Sequence, residues 1–119
     1  MSMILVVDDD QRILKLLSTC LENAGHQVLT APNGLNGLAV FRSNSDLIDL
    51  VITDLKMPEM NGYEMARRVR EINPEVKIIC MSGFAEEKCP ECVRLLEKPF
   101  SMVELCAYLE EILTGPSRT

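Results

Sequence analysis

Apolar runs of strand length recur along this chain, and between them the apolar residues fall at helical intervals. "MILVV" (3–7) and "LVIT" (50–53) are almost continuously apolar. A sheet with one wet face needs only alternation, so runs of this kind belong to strands covered on both faces. "QVLTA" (27–31), "VKIICMS" (76–82) and "VRLL" (93–96) read as further strands. After the first run, Ile13, Leu17, Cys20, Leu21 and Ala24 share one helical face, and Gly25 stands at the C′ position, where a left-handed conformation suits glycine. Asn33 and Gly34 open a second helix with Leu38 and Phe41 inward. A third helix carries Gly62, Met65, Ala66 and Val69 on its inner face and stops at Asn73-Pro74, because proline disfavours helical geometry in the residue before it. The last helix presents Met102, Leu105, Cys106, Leu109, Ile112 and Leu113, with Ser101 as N-cap, and Gly115-Pro116 closes it. Alternating strands and helices predict one α/β domain over residues 1–119, with a parallel sheet between helical layers. Residues 1–2 are native or vector-derived, and 115–119 form a tail or linker.

In such sheets the functional crevice lies beyond the carboxyl ends of the strands. Asp8 and Asp9 end the first strand, Asp54 the third and Ser82 the fourth, and Lys98 follows the fifth. Taken singly, an aspartate after a strand is ordinarily a turn residue or helix cap, and Asp10, just ahead of the first helix, fits that role. Taken together, these groups converge on one sheet edge. Neighbouring carboxylates repel unless a cation offsets them. Mg²⁺ suits a site that offers a few carboxylates and leaves room for waters and a phosphoryl group. A lysine and a serine beside it would add nothing to a metal buffer. They make sense where an anion with several oxygens must be held, as in phosphoryl transfer, with an aspartate as nucleophile.

Charge and composition narrow the partners. A net charge of −6 opposes nucleic-acid binding by this domain alone, because that affinity rests on neutralising phosphates. No apolar run approaches the ~20 residues of a membrane span. The N-terminus lacks a basic stretch leading into a long apolar one, so a cytoplasmic location is expected. The five cysteines are an odd count without the density of a disulfide scaffold, which suits a reducing cytoplasm, and Cys20, Cys80 and Cys106 read as small core residues. Cys89 and Cys92, in "CPEC", read as exposed thiols. Two thiolates are half a zinc site, His26 lies far off in sequence, and a thioredoxin-like motif would follow a first strand rather than precede a fifth.

"VVDDD", "VITDLKMPEMNGYE", "IICMSG" and "EKPF" stand in an order that resembles the response-regulator receiver domain of two-component signalling, over essentially the whole chain. The resemblance implies a doubly wound, flavodoxin-like α/β fold: a five-stranded parallel sheet of order 2-1-3-4-5 with five helices. It implies that Asp54 accepts a phosphoryl group from the histidine of a sensor kinase or histidine phosphotransfer protein, and later loses it by slow self-dephosphorylation. The chain would then be a phosphoacceptor rather than a turnover enzyme. Asp9 would bind Mg²⁺ directly and Asp8 through water, with Asp54 and the backbone carbonyl of Lys56 completing the set. Ser82 would hydrogen-bond one phosphoryl oxygen and Lys98 pair with another, while the amides of Leu55 and Gly83 cradle the group. Pro58 and Gly62 would shape the loop and let the third helix start close to the site.

Two departures from the family pattern concern output. Many receivers carry an aromatic residue three positions before the lysine; here that position is Leu95, with no ring to swing, and Phe84 is a candidate substitute. Only fifteen residues lie between Ser82 and Lys98, and Pro90 interrupts them. The fourth helix is therefore predicted to be truncated or replaced by a loop, as in receivers of hybrid histidine kinases, and any dimer would use another face. Three rival functions bear comparison. A receiver-fold interaction module that is never phosphorylated would retain the fold without using Asp54. A flavodoxin-like FMN binder would need a phosphate loop free of aspartates after the first strand. An aspartate-nucleophile phosphatase would want a carboxylate at position 56, where this chain has lysine.

Overall fold

The computed structural model describes residues 2–57, 60–83, 89–98 and 100–114. Pro58, Phe84 and the Gly115-Pro116 closure lie outside the described residues. Five strands are formed: β1 (Met3–Val7), β2 (Gln27–Ala31), β3 (Leu50–Asp54), β4 (Lys77–Ser82) and β5 (Arg94–Glu97). All neighbours pair in parallel, in the order β2-β1-β3-β4-β5. The helices among the described residues are α1 (Gln11–Asn23), α2 (Gly34–Ser43), α3 (Gly62–Ile72) and α4 (Met102–Thr114). The sheet is thus the expected one, with four helices among the described residues where the family pattern has five.

Successive strand residues point to opposite faces, and each face has its own core. Leu5, Val7, Val51, Ile78 and Cys80 pack under Leu38 and Phe41 of α2 and Met65, Ala66 and Val69 of α3. Ile4, Val6, Ile52, Ile79, Met81 and Leu96 pack under Leu14, Leu17 and Leu21 of α1 and Leu105 and Leu109 of α4. Two-sided burial explains why the strands read as unbroken apolar runs. Burial stabilises each large side chain by about 1.5–3 kcal/mol, so the sheet is the best-secured part of the molecule.

The helix ends follow local chemistry. The Asp10 carboxylate accepts the N–H of Arg12 at 2.9 Å and caps α1 as expected. Asn33 and Asn61 cap α2 and α3 in the same way, and the Ser101 hydroxyl accepts the N–H of Glu104 at 3.0 Å at the start of α4. Gly25, at φ +98, turns the chain out of α1. The stripe predicted for α1 needs adjustment. Leu14 is buried, while Ile13 is half-buried and Ala24 exposed, because Ala24 is the C-cap and has already left the packed face.

The segment between β4 and β5 meets the expectation for its backbone and departs from it at the cysteines. Its described residues, Gly83 and 89–93, contain no helix, in line with the helix-opposing Pro90. The Cys92 N–H donates to the Cys89 carbonyl at 3.0 Å, and the Val93 N–H donates to Ile78 at 2.8 Å, which leads into β5. Arg70 of α3 braces this segment: its guanidinium donates to the carbonyls of Pro74 (2.8 Å), Val76 and Glu91. Cys89 and Cys92 are not exposed thiols. Both are half-buried against the α2–α3 core, and Cys92 is disulfide-paired with Cys80 in the centre of β4, their Cα atoms 6.0 Å apart. With no helix over the described part of this segment, these small apolar side chains cover part of the sheet.

Candidate functional site

The carboxyl ends of β1, β3, β4 and β5 bring Asp8, Asp9, Asp54, Ser82 and Lys98 to one edge, as the strand reading required. Asp8 follows β1 directly and is held there by its N–H, which donates to Ala31 at 3.2 Å. Asp54 is the last residue of β3 and Ser82 the last of β4. Lys98 leaves β5 with its N–H donating to the Ser82 carbonyl at 2.6 Å, so the backbones that carry the lysine and the serine are tied together.

Asp8 is fully buried, Asp54 is 8% exposed and Asp9 lies at the surface. One oxygen from each of the three carboxylates falls within 4.8 Å of the others. The Lys98 ammonium sits 3.4 Å from Asp54 and 3.6 Å from Asp8. Burial pushes the Asp8 carboxyl up to about 6, against the N–H of Asp10 and the charge of Lys98, which both pull it down. Burial also raises Asp54, opposed by Lys98 and by the N–H of Lys56. One lysine does not offset three carboxylates here.

Asp8 uses one oxygen to accept the Asp10 N–H at 2.9 Å. Its other oxygen is buried and accepts no hydrogen bond. The Lys98 ammonium, 3.6 Å away, is beyond hydrogen-bond reach of that oxygen. A buried acceptor with no hydrogen bond costs on the order of 1–3 kcal/mol, and a directly bound cation would offset that cost. The donors are all hard oxygens, which suits Mg²⁺ or Ca²⁺ and argues against a soft metal. The residues present therefore fit a divalent cation.

Close packing positions Asp54. The Thr53 hydroxyl donates to the Asp54 carbonyl at 2.9 Å, and the Gly62 N–H donates to Leu55 at 2.9 Å. A Cβ at Gly62 would collide with the Asp54 carbonyl and the Leu55 Cα, so glycine is what lets α3 begin against the site. The expected role of the Leu55 amide needs correction. Its N–H donates to the Met81 carbonyl at 3.1 Å as a rung of the β3–β4 ladder, and it is not available to an anion. The N–H that faces the Asp54 carboxylate belongs to Lys56. Gly83 follows Ser82 and is exposed.

The sequence reading missed one element of the site. Beside Lys98 lies an apolar groove of about 420 Å³, lined by Ile13, Leu16, Leu17, Phe100 and Met102 together with the lysine. Leu16 is 52% exposed. The signal was the Leu16-Leu17 pair: adjacent leucines on a helix cannot both face one core.

The model of the family described as response regulator receiver domain matches residues 4–110 of this chain. The chain is 36% identical over 119 residues to the response regulator receiver protein CpdR of Brucella abortus, spanning 95% of this chain and 98% of that protein. It is 30% identical over 116 residues to the sensor kinase CckA of the same organism, spanning 92% of this chain but only 12% of the kinase. Among solved structures, the response regulator TrrA of Thermotoga maritima, crystallised in complex with Mg²⁺-BeF, superposes with a TM-score of 0.86 at 32% identity, covering 94% of this chain and 99% of that one.

Proposed function

This chain belongs to the response regulator receiver domain family of two-component signalling, and on that premise we propose that Asp54 is a phosphoacceptor served by Asp8, Asp9, Ser82 and Lys98. The observation that carries the reading is the buried Asp8 oxygen without a hydrogen bond, beside Asp54 and Lys98 at the mouth of the sheet. Asp8, Asp9, Asp54 and the carbonyl of Lys56 would hold Mg²⁺. When bound, the ion offsets carboxylate and phosphoryl charge, which would otherwise repel one another; Mg²⁺ in the structure of TrrA supports that choice.

An Asp54 oxygen attacks phosphorus, the phosphorus–nitrogen bond of a phosphohistidine breaks, and the imidazole leaves with the electron pair. Lys98 turns its ammonium from the carboxylates to a phosphoryl oxygen. Ser82 donates its hydroxyl to another oxygen, and the amides of Lys56 and Gly83 face the third. Water later attacks phosphorus and restores Asp54, so the chain undergoes one slow cycle per phosphoryl group rather than steady turnover. The donor is a histidine kinase or a histidine phosphotransfer protein, and the apolar groove beside Lys98 offers its helix a seat within reach of Asp54. The span of CpdR matched supports a free-standing receiver, and the match within CckA supports a domain of a hybrid kinase as the other setting. Leu95 and the short β4–β5 segment direct output, and any dimer, away from a fourth-helix face. A cytoplasmic site of action follows from a kinase donor, and among the described residues no helix is long and apolar enough to cross a membrane.

Intact-protein mass after incubation with acetyl phosphate tests the reading. One phosphoryl adduct is expected with Mg²⁺, and none with EDTA or in Asp54→Asn. An absent adduct, also with a cognate kinase, would leave a phosphorylation-independent interaction module.

A further inference from the structure

We propose that Cys80, Cys89 and Cys92 form a reversible thiol–disulfide site that ties the segment before β5 to the centre of β4, with Cys89 as the resolving thiol. Three observations carry it. The Cys80 and Cys92 Cα atoms are 6.0 Å apart, inside the range a disulfide spans without backbone movement. The Cys89 sulfur lies within 4.8 Å of both partners. Glu91 lies beside that third sulfur, its carboxylate accepting the Cys89 S–H at 3.7 Å.

The site also holds what exchange needs. Exchange begins when a thiolate attacks a disulfide sulfur. Glu91 takes the Cys89 proton as the Cys89 sulfur attacks Cys92. The Cys89–Cys92 bond forms, the Cys80–Cys92 bond breaks, and Cys80 leaves as a thiolate that recovers the proton. Burial pushes the Cys89 thiol up and the Glu91 carboxylate adds to that, while the N–H groups of Glu91 and Cys92 favour the thiolate. Uncatalysed exchange is therefore slow and needs a base to take the proton as the sulfur attacks. The Cys80–Cys92 pair is oxidised by a low-molecular-weight disulfide, which accepts two electrons and two protons and leaves as two thiols. Cys89 and Cys92 lie in a turn whose Pro90 is exposed, whereas Cys80 is buried in β4, so an external disulfide reaches the turn cysteines first.

Placement gives the site its consequence. Cys80 lies two residues before Ser82, and its register partner on β5 is Leu95, three residues before Lys98. The bond closes a loop between residues 12 apart, and that loop contains Ser82. Oxidation therefore fixes both ends of the segment that joins the two phosphoryl-facing strands.

The test uses the full chain in buffers of graded reduced-to-oxidised glutathione ratio, alkylation of free thiols, intact mass and peptide mapping. Expected are two fewer alkylated thiols on oxidation, a Cys80–Cys92 linked peptide and a minor Cys89–Cys92 one. Cys92→Ser should alkylate all its remaining cysteines. Cys89→Ser should keep the Cys80–Cys92 link and lose it to reductant several-fold more slowly. Five alkylated thiols at every ratio, glutathione adducts alone, or a Cys20–Cys106 link in its place would overturn the proposal. So would a stoichiometric zinc adduct of the reduced protein that blocks disulfide formation, which would make the trio a metal site. The readout needs no phosphoryl donor, so its failure is distinct from failure of the phosphoacceptor reading.

Discussion

Asp8→Asn should stabilise the metal-free protein near neutral pH, although it removes a residue of the site. The Asp8 carboxyl is pushed up to about 6 from 3.8, with burial as the leading cause. A folded-state value above the unfolded one means that the fold favours the protonated acid. The cost of ionising Asp8 is therefore absent at low pH, grows from about pH 4, and is complete above about pH 6. A displacement of a little over two pH units, at ~1.4 kcal/mol each, sets that cost at about 3 kcal/mol. Asparagine keeps the acceptor that receives the Asp10 N–H and replaces the unbonded charged oxygen with a neutral amide. Urea unfolding in EDTA at pH 7.5 should show the variant more stable by ~2–3 kcal/mol, and near pH 4.5 the gap should shrink to about 1 kcal/mol. Adding Mg²⁺ should stabilise the unsubstituted chain and barely move the variant, because an ion that binds only the folded state stabilises by an amount that grows with the logarithm of its concentration relative to its dissociation constant. A variant equal to or less stable than its parent at pH 7.5 in EDTA would refute the reasoning, as would a gap independent of pH.

Three further perturbations test the scaffold. Gly62→Ala forces a Cβ against the Asp54 carbonyl; the expected result is a loss of about 1–3 kcal/mol in urea unfolding, where a helical Gly→Ala elsewhere gains up to ~1 kcal/mol. Ser101→Ala removes the cap of α4 and should cost about 1 kcal/mol by the same assay without changing phosphoryl uptake. Arg70→Ala frees the carbonyls of Pro74, Val76 and Glu91; hydrogen exchange of residues 91–93 should accelerate, with a stability loss of about 1–3 kcal/mol.

What the sequence shows and what it hides divide along physical lines. The run 3–7 matches β1 residue for residue, because two-sided burial leaves an unbroken apolar signature; 27–31 matches β2 as well, although that edge strand is only partly buried. The site was legible for a related reason: a parallel sheet puts every strand's last residue on one edge, so the polar residues that end β1, β3 and β4 meet without any knowledge of side-chain contacts. The Leu55 amide was misassigned because its partner, Met81, is set by the β3–β4 register. Cys92 lies a dozen residues from Cys80, and nothing in "CPEC" names β4 as its neighbour. Arg70 reads as an ordinary helical arginine until the chain after β4 folds back over it.

The common direction of the strands also decides where this domain can be joined to others. Each helix runs back from the site, so β1 begins and α4 ends at the opposite edge, where Ser2 and Leu113 line the same cavity. The described ends of the chain thus lie together, about a strand's length from Asp54. A tether there has little leverage on the carboxylate cluster and leaves the opposite edge of the sheet open. Such a unit is portable, and similar chains occur both as nearly all of a small regulator and as about an eighth of a sensor kinase.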